Sequence, residues 1–215
     1  MSTRPELDQT REGVIKYQLD FTPAPAVEYA VLAELNAWRT LLFRLGLTGI
    51  DPGRYDGLAY GNVSQRIAGT DTFFISGTQT GGLPQLGSEH YCQVLAFDLS
   101  HNRLVAQGPL PPSSEALTHA AVYTADSKVD CVLHVHSPEI WRHAEALELP
   151  VTDGQVAYGT PEMAEGVKNL LGASAASIIV MGGHEDGVIA TGDTPRAATQ
   201  ALMDCLIRAW VKTCG

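Results

Sequence analysis

Short apolar runs bounded by turn formers alternate along the chain with longer stretches whose apolar residues recur every three or four positions. The run "GVIKYQLDF" (13–21) reads as a strand, and "AVEYAVLAELNAWRTLLFRLGL" (26–47) has helical spacing up to Gly46 and the breaker-rich "GIDPGRYDG" (49–57). Short strands are predicted at "NVSQRI" (62–67), "TFFIS" (72–76), "CQVLAFDL" (92–99) and "NRLVAQ" (102–107), with "LSHNR" as a hairpin turn between the last two. From "PPSSEALTHAAVYTAD" (111–126) the rhythm becomes helix, strand "CVLHVHS" (131–137), helix "PEIWRHAEAL" (138–147), helix "TPEMAEGVKNLLG" (160–172), strands "ASIIVMG" (176–182) and "GVIAT" (187–191), and a final helix from "TPRAATQ" to "WVKT". With no internal repeat or linker between the halves, the expectation is one layered α/β domain over 1–215. Its central sheet is mainly antiparallel and flanked by helices.

One strand breaks the apolar rule. In "DCVLHVHSPEIW" the side chains alternate faces, so Val132, His134 and His136 point one way while Cys131, Leu133 and Val135 point the other. Two imidazoles side by side fill a core poorly, because each brings a donor and an acceptor that need partners. They suit a divalent metal, although two partnered core histidines have the same spacing. A catalytic ion wants a third protein ligand and an open position. "VMGGHEDGVIA" offers His184 at a glycine-rich turn after an apolar strand, where a loop histidine and a ligand look alike. Surface or helical contexts suit His90, His101 and His143, whereas His119 lies four residues after Glu115 on one helix face, supporting either a site or the helix.

Two further patterns could carry chemistry. Pro112 and Ser113 make a good helix start, and a serine cap leaves first-turn N–H groups able to hold an anion, with Glu115 in that turn. An acidic residue there can equally do no more than complement the helix dipole. "AYGNVSQRI" and "FFISGTQTGG" join apolar strand residues to turns that could present N–H and hydroxyl groups to oxyanions.

Composition narrows the classes. The chain of 215 residues is 45% hydrophobic with a net charge of −10, which argues against nucleic-acid or anionic-membrane partners. No apolar run reaches about 18 residues and the polar start "MSTRPELDQTREG" lacks the apolar core of a signal peptide, so a cytoplasmic protein is expected. Cys92, Cys131, Cys205 and Cys214 stand far apart without a C-x-x-C pair and read as reduced thiols.

Taken in order, "GNVS", "ISGT", "PSSE" and "HVHS" followed by His184 resemble the class II aldolase/adducin family, which includes fuculose-phosphate and rhamnulose-phosphate aldolases and ribulose-phosphate 4-epimerases. The resemblance runs from Val27 to Trp210. It implies a metal held by His134, His136 and His184, with zinc the expected ion and manganese, cobalt or iron as alternatives. Glu115 is implied as the acid/base, and Asn62, Ser76, Gly77, Ser113 and Ser114 as the pocket for an anionic substrate group. The implied function is a lyase acting through a metal-stabilised enediolate on a small hydroxy-carbonyl substrate. Epimerase, dehydratase, decarboxylase or a non-catalytic adducin-like assembly role are the alternatives, and a homotetramer is the implied assembly.

The pattern departs from the family in several places. The turn reads "SGTQTG" rather than a "TPSG"-like form, and "GGHEDGVIA" carries two extra residues, Glu185 and Asp186, which become rival ligands. The segments that bring tyrosines to the substrate in the sugar-phosphate aldolases, one after His136 and one beyond the final helix, have no counterpart. A cupin-like oxygenase, with Glu139 joining the histidine pair, fits the interleaved helices poorly.

Overall fold

The computed structural model describes residues 14–173 and 177–213; Cys214 lies outside them. Eight strands form one sheet: β1 (Gln18–Pro23), β4 (Asn62–Arg66), β5 (Phe73–Ser76), β6 (Tyr91–Asp98), β7 (Arg103–Gly108), β8 (Cys131–His136), β9 (Ile178–Val180) and β10 (Gly187–Gly192). Their order is β1-β7-β6-β5-β4-β8-β10-β9. Neighbours pair antiparallel except β1, which runs parallel to β7, so the sheet is mixed rather than purely antiparallel. Two short strands, β2 (Gly49–Ile50) and β3 (Ala59–Tyr60), pair with each other outside it.

Helices cover both faces. On one lie α1 (Tyr29–Arg44), α3 (Pro138–Arg142) and α5 (Pro195–Thr213), whose Leu32, Leu35, Leu42, Ile140, Leu202 and Leu206 bury against Cys131, Leu133 and Val135 of β8. On the other lie α2 (Ala116–Ala125) and α4 (Pro161–Ala173), packed through Ala116, Leu117, Ala120, Tyr123, Met163 and Val167 onto Val132 and Ile189. The expected alternation along β8 is therefore observed, and its imidazoles share the α2/α4 face with Val132. Among the described residues, no helix is long and apolar enough to cross a membrane, and Cys92, Cys131 and Cys205 are free and buried.

Local chemistry sets the helix ends. Three helices open on a Ser/Thr-Pro pair: the Ser137, Thr160 and Thr194 hydroxyls accept from the amides of Ile140, Met163 and Ala197 at 3.3, 3.3 and 3.1 Å, while proline fills the first position, where no amide partner is needed. Helix α1 ends where Gly46, at φ 71°, lets Leu47 N–H reach back to Leu42 O at 3.0 Å. Two expectations shift. Helix α3 stops at Arg142, short of 147. Helix α2 starts at Ala116 rather than at Ser113, because Ser113 Oγ accepts from Glu115 N–H at 3.3 Å and holds the chain in a turn ahead of it.

Two polar groups are built into the core. Arg39 of α1 is 2% exposed and donates to the carbonyls of Leu83, Thr80 and Gly81, the last two at 3.0 and 2.6 Å, pinning the loop after β5. On the opposite face, Ser64 Oγ meets His119 Nδ1 at 2.6 Å and Tyr123 Oη at 2.7 Å.

Burial pushes the His119 pKa down to about 3 from the ordinary 6.5. The unfolded chain gains a proton there below pH 6.5 that the folded chain refuses until about pH 3, so stability falls as pH drops through that window and is unaffected above it. The slope reaches about 1.4 kcal/mol per pH unit for one such group. Denaturant unfolding of the metal-free protein between pH 7 and 4 should show at least this slope, to which every other buried histidine of lowered pKa adds, and His119→Gln should make it shallower by up to the one-group amount.

Candidate metal centre and active site

Three elements bring the histidines together. His134 and His136 end β8, and the register pairs them with Ile189 and Gly187 of β10. His184 stands in the turn between β9 and β10, where its amide donates to Met181 O at 3.1 Å and its carbonyl accepts from Gly187 N–H at 2.9 Å. Gly187 packs closely beneath the His184 ring, since a Cβ there would lie 3.0 Å from that ring and press on it. Ligand-type nitrogens of His134, His136 and His184 lie within 4.8 Å of one another, and all three residues are buried. This is the grouping found among the described residues that could hold a metal ion. Glu139 is not in it; its carboxylate accepts from Ser137 Oγ at 3.1 Å.

Burial, reinforced by the neighbouring His184 ring, holds the pKa values of His134 and His136 far below the ordinary imidazole range. Both rings are therefore neutral at pH 7, the form that offers a lone pair to a metal. Asn62 of β4, in register with His134, places its amide 3.2 Å from His134 Nδ1. Turning the amide oxygen toward the ring lets Nδ1–H donate to it and leaves Nε2 as the lone-pair atom; amide orientation of this kind follows from the hydrogen-bond network. That one choice accounts for both Asn62 Oδ1 and His134 Nε2, which are buried without hydrogen-bond partners among the described residues. Both ring nitrogens of His136 are in the same condition. A donor set of three converging, buried imidazoles fits a divalent transition metal such as zinc.

Around the rings the site is aromatic. Tyr158 stacks on His184 at 4.5 Å and 28°, and Lys16 Nζ sits 3.6 Å over the Tyr158 ring while donating to the Tyr158 carbonyl at 2.7 Å. Tyr55 meets His136 edge-on at 4.4 Å, with Tyr60 at 5.1 Å. Glu115, only 1% exposed, accepts from Thr118 Oγ1 at 2.8 Å. Its other oxygen lies 3.6 Å from the point where a Cβ on Gly159 would stand, so the Tyr158–Gly159 loop joins Glu115 to the His184 side of the centre.

The remaining anticipated residues gather next to Glu115. Ser76 Oγ accepts from Val63 N–H at 3.1 Å, Gly77 bridges to Pro112, and Thr78 N–H donates to Pro111 O at 3.0 Å. The end of β5 is thereby set beside the segment carrying Ser113 and Ser114, both buried. Tyr17 fixes that segment from β1's side by donating to Ser113 O at 2.8 Å. His119 lies behind the site. His101 is exposed and paired with Asp98 at 2.8 Å, while His90 and His143 are partly buried with local bonds of 2.9 and 2.8 Å.

Sequence reasoning missed the wall over His136. Residues 51–58 leave the β2/β3 pair as an excursion in which Tyr55, Asp56 and Gly57 all have positive φ, at 51°, 57° and 68°. Left-handed backbone costs about 1–2 kcal/mol per non-glycine residue and is seldom consecutive. "DPGRYDG" signals a turn, and nothing in it signals the histidine that it covers. The rival ligand Asp186 points into this wall: its carboxylate accepts from Tyr55 Oη at 2.7 Å and pairs with Arg54. Burial, then that hydrogen bond, raises the Tyr55 pKa well above the usual phenol value. Glu185 is exposed and lines a polar cleft of about 390 Å³ with Pro52, Arg54 and Asp56.

Comparison with known proteins accords with this geometry. A methylthioribulose-1-phosphate dehydratase of Leptospira borgpetersenii is 35% identical over 133 residues, 54% of this chain and 50% of that protein. The chain thus spans about half the length of that relative. An L-fuculose-1-phosphate aldolase of Thermus thermophilus superposes with a TM-score of 0.64 at 19% identity, covering 86% of this chain and 94% of the other. A sugar-phosphate aldolase of Thermotoga maritima gives 0.64 at 14% identity over 85% and 93%. At such identities the superpositions establish the fold. The model of the class II aldolase and adducin N-terminal domain matches residues 53–208, most of the chain, and with the fold in common the protein belongs to the class II aldolase and adducin family.

Proposed function

We propose that the protein is a divalent-metal-dependent lyase acting on a small hydroxy-carbonyl compound, with zinc on His134, His136 and His184. The observation that carries this reading is the convergence of three buried imidazoles, linked through the Tyr158–Gly159 loop to the buried carboxylate of Glu115. Bound there, a divalent ion would polarise a substrate carbonyl and ease negative charge onto its oxygen. An adducin-like role in assembly alone gives no reason to keep this donor set buried at such cost.

The chain's own residues hold the substrate and move the proton. Glu115, oriented by Thr118, is the proposed acid/base. In dehydration it takes the proton from the carbon next to the carbonyl and gives it to the hydroxyl one carbon further, whose C–O bond breaks so that it leaves as water. In aldol cleavage it takes the proton from that hydroxyl, the C–C bond breaks, and the proton returns to carbon. The 35% identity to a protein named as a dehydratase favours dehydration as the first activity to assay. Ser76, Gly77, Ser113 and Ser114 are proposed to receive an anionic group, as a phosphate would require. With its oxygen on His134, Asn62 would still have its NH₂ to donate to the same anion. A homotetramer in the cytoplasm is the proposed setting; a monomer in light scattering would count against that assembly.

Screening small ketose phosphates and their unphosphorylated counterparts for carbonyl products, with and without a chelator, tests the reaction class. Activity that survives full metal removal sinks it. His184→Ala should lose the metal by elemental analysis yet keep its circular dichroism spectrum; full occupancy in that variant would remove His184 from the ligand set. Glu115→Gln should keep metal and fold while turnover drops at least about a hundredfold, the scale of general acid–base catalysis. Near-normal turnover would return Glu115 to a purely structural role.

A further inference from the structure

Arg54, Tyr55 and Asp186 lie outside the anticipated site, 131 and 132 residues apart in sequence, yet they meet over the imidazoles. Asp186 is 1% exposed and adopts a left-handed backbone at φ 62° two residues after His184. Its carbonyl accepts from the amide of Ser137 at 2.8 Å, and Ser137 follows His136 directly. One residue therefore ties the backbone of both ligand-bearing turns together. Its carboxylate meanwhile holds the Tyr55 hydroxyl at 2.7 Å and the Arg54 guanidinium, which itself lies 4.8 Å from the Tyr55 ring. The Tyr55 ring in turn rests edge-on against His136 at 4.4 Å. Three successive left-handed residues at 55–57 persist only where surrounding contacts over-determine them.

We propose that Asp186, Tyr55 and Arg54 form a latch that positions the His136 and His184 rings for the metal, with Asp186 as its hub and Tyr55 as the part that bears on His136. The three are positioning residues and act through the ligands. The proposal rests on the metal reading above and extends it to residues which that reading leaves idle. Loss of partners behind metal ligands typically lowers metal affinity 10- to 100-fold.

Cobalt(II) serves as the probe, since its visible bands report ligand geometry. Its uptake by the wild-type protein, with the loss of those bands in His134→Ala, tests the metal reading by itself. Failure there overturns both. Given normal uptake, Tyr55→Phe and Asp186→Ala should each shift the bands and speed removal of cobalt by a chelator at least about tenfold. Asp186→Asn keeps an acceptor for Tyr55 while losing the ion pair, so it should fall between Asp186→Ala and wild type. Wild-type bands and removal rates in Tyr55→Phe and Asp186→Ala would overturn the latch while leaving the metal site standing. A variant with a lower melting temperature but unchanged bands would do the same. If Asp186→Ala fails to fold, Tyr55→Phe, which removes one oxygen and no packing, decides.

Discussion

Imidazoles placed deep in the middle of a sheet can neither stay charged nor stay without partners, and the architecture around β8 follows from those two demands. Burial forces His134 and His136 into the neutral form, which turns each into a donor of a lone pair as well as of a hydrogen. An ordinary core would answer with hydroxyls and carbonyls, as Ser64 does for His119. Here Asn62 addresses one nitrogen of His134, and His136 meets aromatic edges instead of hydrogen-bonding groups. A site of that make-up is stable only if something else satisfies the nitrogens, which is the physical content of reading it as a metal centre.

The order of the sheet makes the arrangement possible. With β8 between β4 and β10, the strand carrying His134 and His136 has the Asn62 strand on one side and the turn bearing His184 on the other. Helices α2 and α4 close the face onto which the rings project. Glu115 enters from the start of α2, and the Tyr158–Gly159 loop from the start of α4, so the two helices contribute their first residues to the site and their apolar sides to the core.

Much of this was legible in the sequence, for reasons that differ by element. The pairing of His134 with His136 on one face follows from the two-residue period of a strand, and the starts of α3, α4 and α5 from Ser/Thr-Pro pairs whose chemistry is local. Local pattern singled out His184 at a glycine-rich turn and Glu115 at a helix start, and only the family resemblance gave them roles. The start of α2 was misjudged because Ser113 bonds two residues ahead instead of three, a choice that the residue types alone leave open. Parallel pairing of β1 with β7, the three-carbonyl clamp on Arg39 and the meeting of Tyr55 with Asp186 are long-range facts. No local pattern encodes them.

The excursion that carries Tyr55 has a further consequence. Gly49 and Ile50 pair with Tyr60 and Ala59, so the chain leaves and re-enters the body at neighbouring points, and the closure entropy of whatever lies between changes by only about 0.6 kcal/mol when its length doubles. The wall over His136 is thus cheap to alter in length, while the Tyr55–Asp186 hydrogen bond ties any exchange of its residues to the turn that leads into β10. Length can therefore vary in this excursion at little entropic cost, while the paired strands β2 and β3 keep its two ends where they are.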